Sequence, residues 1–177
     1  MADKKHILII NGSASGNSSN EKLIRFIINQ WSAKFEFTML EDLKSFPHFD
    51  PELSVNNTPS LILDLRSKIE KADGIVICSP EYIFSIPSGL KNIIEWCVST
   101  TIFENKPTGL IIASANGEKA KEELQLIMKT LTAKFDEQST LLIRGIKGKM
   151  NGPNNSMDEP TKERLVSFME AFGTLVS

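Results

Sequence analysis

The sequence predicts an α/β fold in which one parallel sheet of five strands carries helices on both faces. Three observations predict it. Runs such as Ile7-Leu8-Ile9-Ile10 and Ile75-Val76-Ile77-Cys78 are apolar at every position, as strands buried on both faces are. Each run is followed by a segment with apolar residues at helical spacing. The strand–helix pair recurs five times, and right-handed crossovers turn such a chain into a parallel sheet.

The elements follow in order. Ile7–Ile10 is the first strand, ended by Asn11-Gly12, and Leu23, Ile24, Ile27, Ile28 and Trp31 line one face of the first helix. Phe35, Phe37 and Met39 alternate with Glu36 and Thr38, which predicts a more exposed second strand. Asp42 to Pro59 contains Pro47, Pro51 and Pro59 and is expected to run over the surface. Ser60 is placed to cap a helix bearing Leu61, Leu65 and Ile69. Ile75–Cys78 is the third strand, and a helix beginning at Ser88 turns Leu90, Ile93, Ile94 and Cys97 inward. Leu110–Ala113 is the fourth strand, before a helix carrying Leu124, Ile127, Met128 and Leu131. Leu141–Ile143 is the fifth; Arg144 to Pro160 is Gly-, Asn- and Pro-rich and expected to be partly mobile; Leu165, Phe168, Met169 and Phe172 mark the last helix. Five strands favour the order 2-1-3-4-5 over the six-strand dinucleotide-binding order. A chain of 177 residues suits one domain, 1–177.

Composition narrows the function classes. The 20 basic and 22 acidic residues give a net charge of −2, which points away from nucleic-acid binding and from long-range electrostatic docking of a basic protein. Cys78 and Cys97 form no C-x-x-C pair and read as buried free thiols. No apolar run approaches a membrane span and the start does not read as a signal peptide, so a cytoplasmic protein away from membranes is expected.

In a doubly wound sheet, ligands bind beyond the carboxyl ends of the strands, at the switch point between strands 1 and 3. The loop there, Gly12 to Asn20, holds four serines, two asparagines and two glycines ahead of a helix. Free backbone N–H groups, the positive helix end and hydroxyls make an anion site. The competing reading is a plain helix cap, but a cap needs one such residue. The loop has neither a following Gly-Lys-Ser/Thr nor the G-x-G-x-x-G spacing.

The loop after the third strand is more specific. Ser79-Pro80-Glu81-Tyr82-Ile83-Phe84-Ser85-Ile86-Pro87-Ser88-Gly89-Leu90-Lys91-Asn92-Ile93-Ile94-Glu95-Trp96 resembles the signature S-P-E-Y-N-x-x-x-P-x-x-L-K-N-x-x-D-W of the NADPH-dependent FMN reductase family, which includes quinone, azo-dye and chromate reductases. That family's first loop reads G-S-x-R-x-x-S-x-N, and Gly12, Ser13, Ser18 and Asn20 match it. The resemblance implies a flavodoxin-like three-layer sandwich and non-covalent FMN. NADPH or NADH would be the electron donor and a flavin, quinone, azo compound or metal oxyanion the small-molecule acceptor. It implies that Ser13, Ser18 and Asn20 hold the phosphate, and Ser15 and Ser19 of the same loop are expected beside it. Pro80, Glu81, Tyr82, Ile83 and Phe84 would run along the isoalloxazine, and Ser114, Ala115, Asn116 and Gly117 would close its other side. The protein would orient and tune a cofactor that carries the chemistry itself, and none of the three loops holds a histidine base or a metal-ligand set.

Two positions depart from the pattern: Ser15 stands where the family has arginine, and Ile83 where it has asparagine. Ser13-Ala14-Ser15-Gly16-Asn17-Ser18 also resembles the flavodoxin phosphate loop T/S-x-T/S-G-x-T/S, which uses hydroxyls and amides without a cation. Glu81 has three readings: a carboxylate nucleophile, a structural hydrogen bond, or a contact between subunits. Tyr82 either touches the flavin or packs, and Trp96 belongs to the core or to a subunit interface. The segment Ile93, Ile94, Trp96, Cys97, Val98 is apolar over more than one helical face, so Ser88 to Ser99 is expected at the interface of a homodimer or homotetramer. The alternative function is a flavin-binding electron-transfer module with no substrate of its own.

Overall fold

The computed structural model describes residues 4–150 and 157–177. Its sheet contains β1 (Lys5–Asn11), β2 (Phe35–Leu40), β3 (Gly74–Ser79), β4 (Thr108–Ser114) and β5 (Thr140–Arg144). The order is β2-β1-β3-β4-β5 with every pair parallel, as the sequence predicts. Seven α-helices accompany it among the described residues: α1 (Ser19–Trp31), α2 (Pro51–Val55), α3 (Ser60–Lys71), α4 (Ser88–Glu95), α5 (Glu118–Thr130), α6 (Ile146–Lys149) and α7 (Glu159–Val176).

The apolar strands explain the layers. Alternate residues of a strand point to opposite faces. Ile7 and Ile9 therefore enter one core with Leu23, Ile24 and Ile27 of α1 and Leu165, Phe168 and Phe172 of α7. Leu8 and Ile10 enter the other core with Leu65 and Ile69 of α3, Leu90 and Ile93 of α4, and Leu124 and Met128 of α5. With both faces covered, β1 and β3 need apolar residues throughout. The edge strand β2 buries only its ends fully, Phe35 and Leu40. Gly109 lets α7 approach β4: an added Cβ would lie 2.7 Å from Phe168 Cζ.

Three local features differ from the expectation. Ser60 is the first residue of α3 rather than its cap, Pro59 preceding it with no side-chain cap. The stretch from Asp42 to Pro59 contains a 3-10 turn, Leu43–Ser45, and the short α2. The helix from Ser88 stops at Glu95. There Arg66 Nε donates to the Trp96 carbonyl at 3.0 Å and Arg66 Nη2 to the Ser54 carbonyl at 3.0 Å, drawing the end of α4 toward α2. Asn151 to Ser156, within the stretch expected to be partly mobile, lies outside the described residues.

Burial also changes the reading of α4. Ile93, Ile94, Trp96 and Cys97 are all at most 4% exposed within the single chain, and only Val98 faces outward. Their apolarity is met by their own core, so it no longer argues for a subunit interface. Trp96 donates its Nε1–H to the Pro47 carbonyl at 2.8 Å and sits edge-on to Phe49.

Candidate functional site

The register sets β1 and β3 side by side, Asn11 opposite Cys78, so the loops after β1 and β3 rise together at the carboxyl edge of the sheet. Gly12 donates its N–H to the Cys78 carbonyl at 2.8 Å and continues the pairing one residue further. An added Cβ at Gly12 would meet Ser79 Oγ at 2.8 Å, so glycine permits this close approach. From there the chain turns into the serine loop.

That loop is organised by short side-chain bonds. Asn11 Oδ1 accepts from the Ser13 N–H at 3.1 Å and Ser13 Oγ from the Ser15 N–H at 3.3 Å. Ser18 caps α1, its Oγ accepting from the Glu21 N–H at 3.1 Å. Glu21 returns a bond, its Oε2 accepting from the Asn17 N–H at 2.8 Å. The Arg25 guanidinium beside it holds the Glu21 carboxyl below its ordinary value. The Ser19 and Asn20 N–H groups lie in the first turn of α1, where no intrahelical acceptor exists. Hydroxyls, first-turn amides and the helix dipole together suit a phosphate.

Asn20 is the exception. Its side chain turns into the core, where Nδ2 donates to the Ala113 carbonyl at 3.1 Å and Oδ1 accepts from Cys78 Sγ at 3.3 Å. Asn20 is 3% exposed, and its side-chain amide is spent on β3 and β4.

A cavity of about 650 Å³ opens above this loop. It gathers Ser13, Ser15, Ser18, Ser19 and Asn20 from the first loop, Pro80, Glu81 and Tyr82 from the second, and Ser114 and Ala115 from the third. Four residues expected with them stand elsewhere. Asn116 and Gly117 lie beyond the cavity wall, where Gly117 (φ 93°) leads into α5. Ile83 and Phe84 form the tip of a two-residue hairpin, 95% and 73% exposed. The Tyr82 N–H donates to the Ser85 carbonyl at 2.9 Å and the Ser85 N–H to the Tyr82 carbonyl at 3.1 Å.

Two carboxylates hold the second and third loops in place. Glu81 Oε1 accepts from the Gly117 N–H at 3.1 Å and Oε2 from the Ala120 N–H at 3.0 Å. Glu123 on α5 works in the other direction, its Oε2 accepting from Ser85 Oγ at 2.7 Å and from the Ile86 N–H at 2.9 Å. Glu81 thus makes the structural bond among its three readings. Neither cysteine is an available nucleophile: burial pushes the Cys97 thiol up to about 12 and Cys78 higher still.

Sequence reasoning missed the fourth wall. Gly145 to Gly148, after β5, face the serine loop across the cavity. The Gly145 N–H donates to the Ala115 carbonyl at 3.2 Å and ties this turn to the third loop. It brings Lys147 to the cavity, while Arg144 pairs with Glu118 and Lys149 with Asp158. The one available signal was the basic run from Arg144 to Lys149 following a strand.

Residues 6–144 match the family model "NADPH-dependent FMN reductase". The chain is 26% identical over 183 residues to a quinone reductase of Escherichia coli (strain K12), covering 99% of this chain and 97% of that one. It is 28% identical over 167 residues to an NADPH:quinone oxidoreductase of Arabidopsis thaliana, covering 90% of this chain and 85% of that one. A flavoenzyme NAD(P)H:(acceptor) oxidoreductase from Paracoccus denitrificans has the same fold, with a TM-score of 0.77, 23% identity and 97% of each chain covered. A serine-lined loop ahead of a helix, a cavity at the switch point and a family match over most of the sheet agree, and the chain belongs to the NADPH-dependent FMN reductase family.

Proposed function

We propose that this oxidoreductase holds FMN in the cavity above the serine loop and passes electrons from NAD(P)H to a small quinone. The observation that carries the reading is the convergence of the loops after β1, β3 and β4 on one cavity at the switch point. The quinone is supported by the relatives from Escherichia coli and Arabidopsis thaliana, both named for quinone reduction. The residues present fit the cofactor. Hydroxyls of Ser13, Ser15, Ser18 and Ser19, the first-turn amides of α1 and the Lys147 ammonium form a donor set for a phosphate. Pro80, Glu81, Tyr82, Ser114 and Ala115 supply two walls for a flat ring system.

Bound FMN would supply the two-electron chemistry. The chain's residues bind and orient. Ser18 both caps α1 and offers its hydroxyl at the helix end. Glu81 and Glu123 keep the second and third loops at a fixed spacing. Tyr82, 40% exposed, stands at the cavity mouth and limits access to the ring. The assembly is a homodimer or homotetramer in the cytoplasm; the exposed Phe84 supports a subunit contact at the hairpin tip.

The test is an absorbance spectrum of the purified protein during anaerobic titration with NADH or NADPH, followed by a quinone. A flavin band that bleaches with the nucleotide and returns with the quinone is expected. A colourless protein that takes up no FMN overturns the reading. A band that returns only with a protein acceptor favours the electron-transfer module.

A further inference from the structure

A second cavity, of about 520 Å³, adjoins the first. Ser13, Ser15, Gly16 and Tyr82 line both. Three others, beside β5 and α7, at the amino ends of β1 and β2, and along α2, share no residue with the first. A small molecule that takes electrons from a ring in the first cavity must come up against it, and the second cavity offers that approach across Tyr82. Its volume falls in the ~300–1,000 Å³ range of small-molecule sites.

The walls are apolar and aromatic, with Leu43, Phe46, Tyr82 and Pro87. Asn92 pins the outer wall. Its Oδ1 accepts from the Phe49 N–H at 2.7 Å and its Nδ2 donates to the Pro47 carbonyl at 2.9 Å.

Two sets of free donors meet this cavity. The first is Asn11, which lines the second cavity and not the first. It is only 5% exposed. Its Oδ1 is taken by the Ser13 N–H, which leaves Nδ2 with no acceptor among the described residues. Nor is Nδ2 sealed off, since Thr161 Oγ1 is the one partnerless side-chain atom among those residues that is fully buried. A buried amide donor without a partner is costly unless a ligand supplies the acceptor.

The second set is the start of α4. Pro87 gives that helix no side-chain cap, and its first bond runs from the Lys91 N–H to the Pro87 carbonyl at 3.1 Å. The Ser88 and Gly89 N–H groups therefore have no helical acceptor, and both residues line the cavity. The two sets belong to opposite faces of the sheet. Asn11 continues the face of Ile7 and Ile9, while α4 packs on the face of Leu8 and Ile10.

We propose that the second cavity receives the electron acceptor as a para-quinone, one carbonyl accepting from Asn11 Nδ2 and the other from the first-turn amides of α4. The proposal rests on the first cavity being the flavin site. An apolar slot with donors from two sides fits a flat ring with an acceptor oxygen at each end. An azo compound carries its acceptor atoms at its centre instead. In the overall reaction NAD(P)H is oxidised to NAD(P)⁺, and the quinone takes up its two electrons and one proton. A second proton, from water, completes the hydroquinone. Negative charge develops on the quinone oxygens along the way, and fixed N–H donors stabilise it there.

The experiment titrates oxidised, FMN-loaded enzyme anaerobically, without nucleotide, with duroquinone and with durohydroquinone by calorimetry. Asn11→Asp keeps the oxygen that accepts from Ser13 and exchanges the free donor for an acceptor. Duroquinone, which only accepts, should bind about tenfold more weakly to this variant. Durohydroquinone, whose hydroxyl can donate to the new oxygen, should hold its affinity or gain. Ser88→Pro removes one amide at a helix position that tolerates proline, and Pro87 already has the extended backbone that a following proline requires (ψ 141°). It should weaken duroquinone about threefold, and kcat/KM for duroquinone should fall in parallel in both variants. Equal losses for the two ligands in Asn11→Asp, or a duroquinone affinity unchanged in either variant, overturn the proposal. FMN affinity measured by fluorescence in the same preparations separates the two levels. If the wild type takes up no FMN, the flavin reading fails; if FMN binds and the preference between the two ligands does not move, only the placement of the quinone fails.

Discussion

Glu81 Oε2 accepts a hydrogen bond from the Ala120 N–H at 3.0 Å, across the gap between the loop after β3 and the start of α5. With the companion bond from Gly117 it gives α5 the cap that its own sequence lacks, since Gly117 has no side chain to supply one. Hydrogen bonds to a charged acceptor are worth roughly 1.5–3 kcal/mol each, and a carboxylate also complements the helix dipole. Glu81→Gln keeps one acceptor oxygen and turns an amide NH₂ toward a backbone donor. It should cost about 1–3 kcal/mol in urea denaturation. Hydride transfer at saturating flavin should persist, and its abolition in a folded variant would restore the nucleophile reading of Glu81.

Ile83 and Phe84 both have positive φ, 51° and 58°. Two consecutive left-handed residues are what a two-residue type I′ hairpin requires, and Asn-Gly is the usual solution. A β-branched residue there is strained, at roughly 1–2 kcal/mol. The family pattern has asparagine at this position. Ile83→Asn should therefore raise stability by about 1 kcal/mol, or about 2–4 °C in Tm for a domain of this size. A lower Tm would mean that the exposed isoleucine is held by a contact outside the single chain.

The serine loop makes separable demands on fold and ligand. Ser18→Ala removes the α1 cap, costing about 1 kcal/mol of stability, and, with FMN placed as proposed, takes a hydroxyl away from the phosphate. FMN should weaken roughly ten- to a hundredfold while riboflavin, which lacks the phosphate, changes little.

Lys147→Met tests the cation opposite the loop. It should lower FMN affinity about three- to tenfold and flatten its salt dependence, leaving riboflavin unaffected. Fluorescence titration of both flavins at two salt concentrations reads these effects. Equal losses for FMN and riboflavin would place the phosphate elsewhere.

Asp73 joins the start of β1 to the end of α3. The His6 N–H donates to its Oδ2 at 2.8 Å and Lys5 Nζ lies 3.4 Å from Oδ1. These partners, the His6 amide first, hold its carboxyl below the ordinary value. A lowered native pKa means that the contribution is present above the unfolded pKa, about 3.9, and is lost as pH falls through the native value. Asp73→Asn should therefore be less stable than wild type at pH 7, with the gap closing as pH falls below about 4. A gap of constant size in denaturant titrations at both pH values would assign the effect to geometry rather than charge.

Much was legible before folding because the signals are local. Strands apolar at every position are needed only where both faces are covered, so Ile7–Ile10 and Ile75–Cys78 announce a parallel sheet without reference to any partner. The serine loop ahead of α1 and the Ser79–Trp96 signature carry their chemistry in consecutive residues, and family membership follows from them. What the chain brings together from distant positions stayed hidden. Asn20 looks like a phosphate ligand until Ala113, 93 residues away, takes its amide into the core. The apolar face of α4 looks like an interface until Pro47 and the surrounding core absorb Trp96. Glu81, Glu123 and Lys147 acquire their roles from partners that no spacing specifies. Periodicity is a property of neighbours along the chain, so one sequence can declare it. A hydrogen bond between loops depends on where sheet order and register set the loop ends, and the tertiary structure alone decides that.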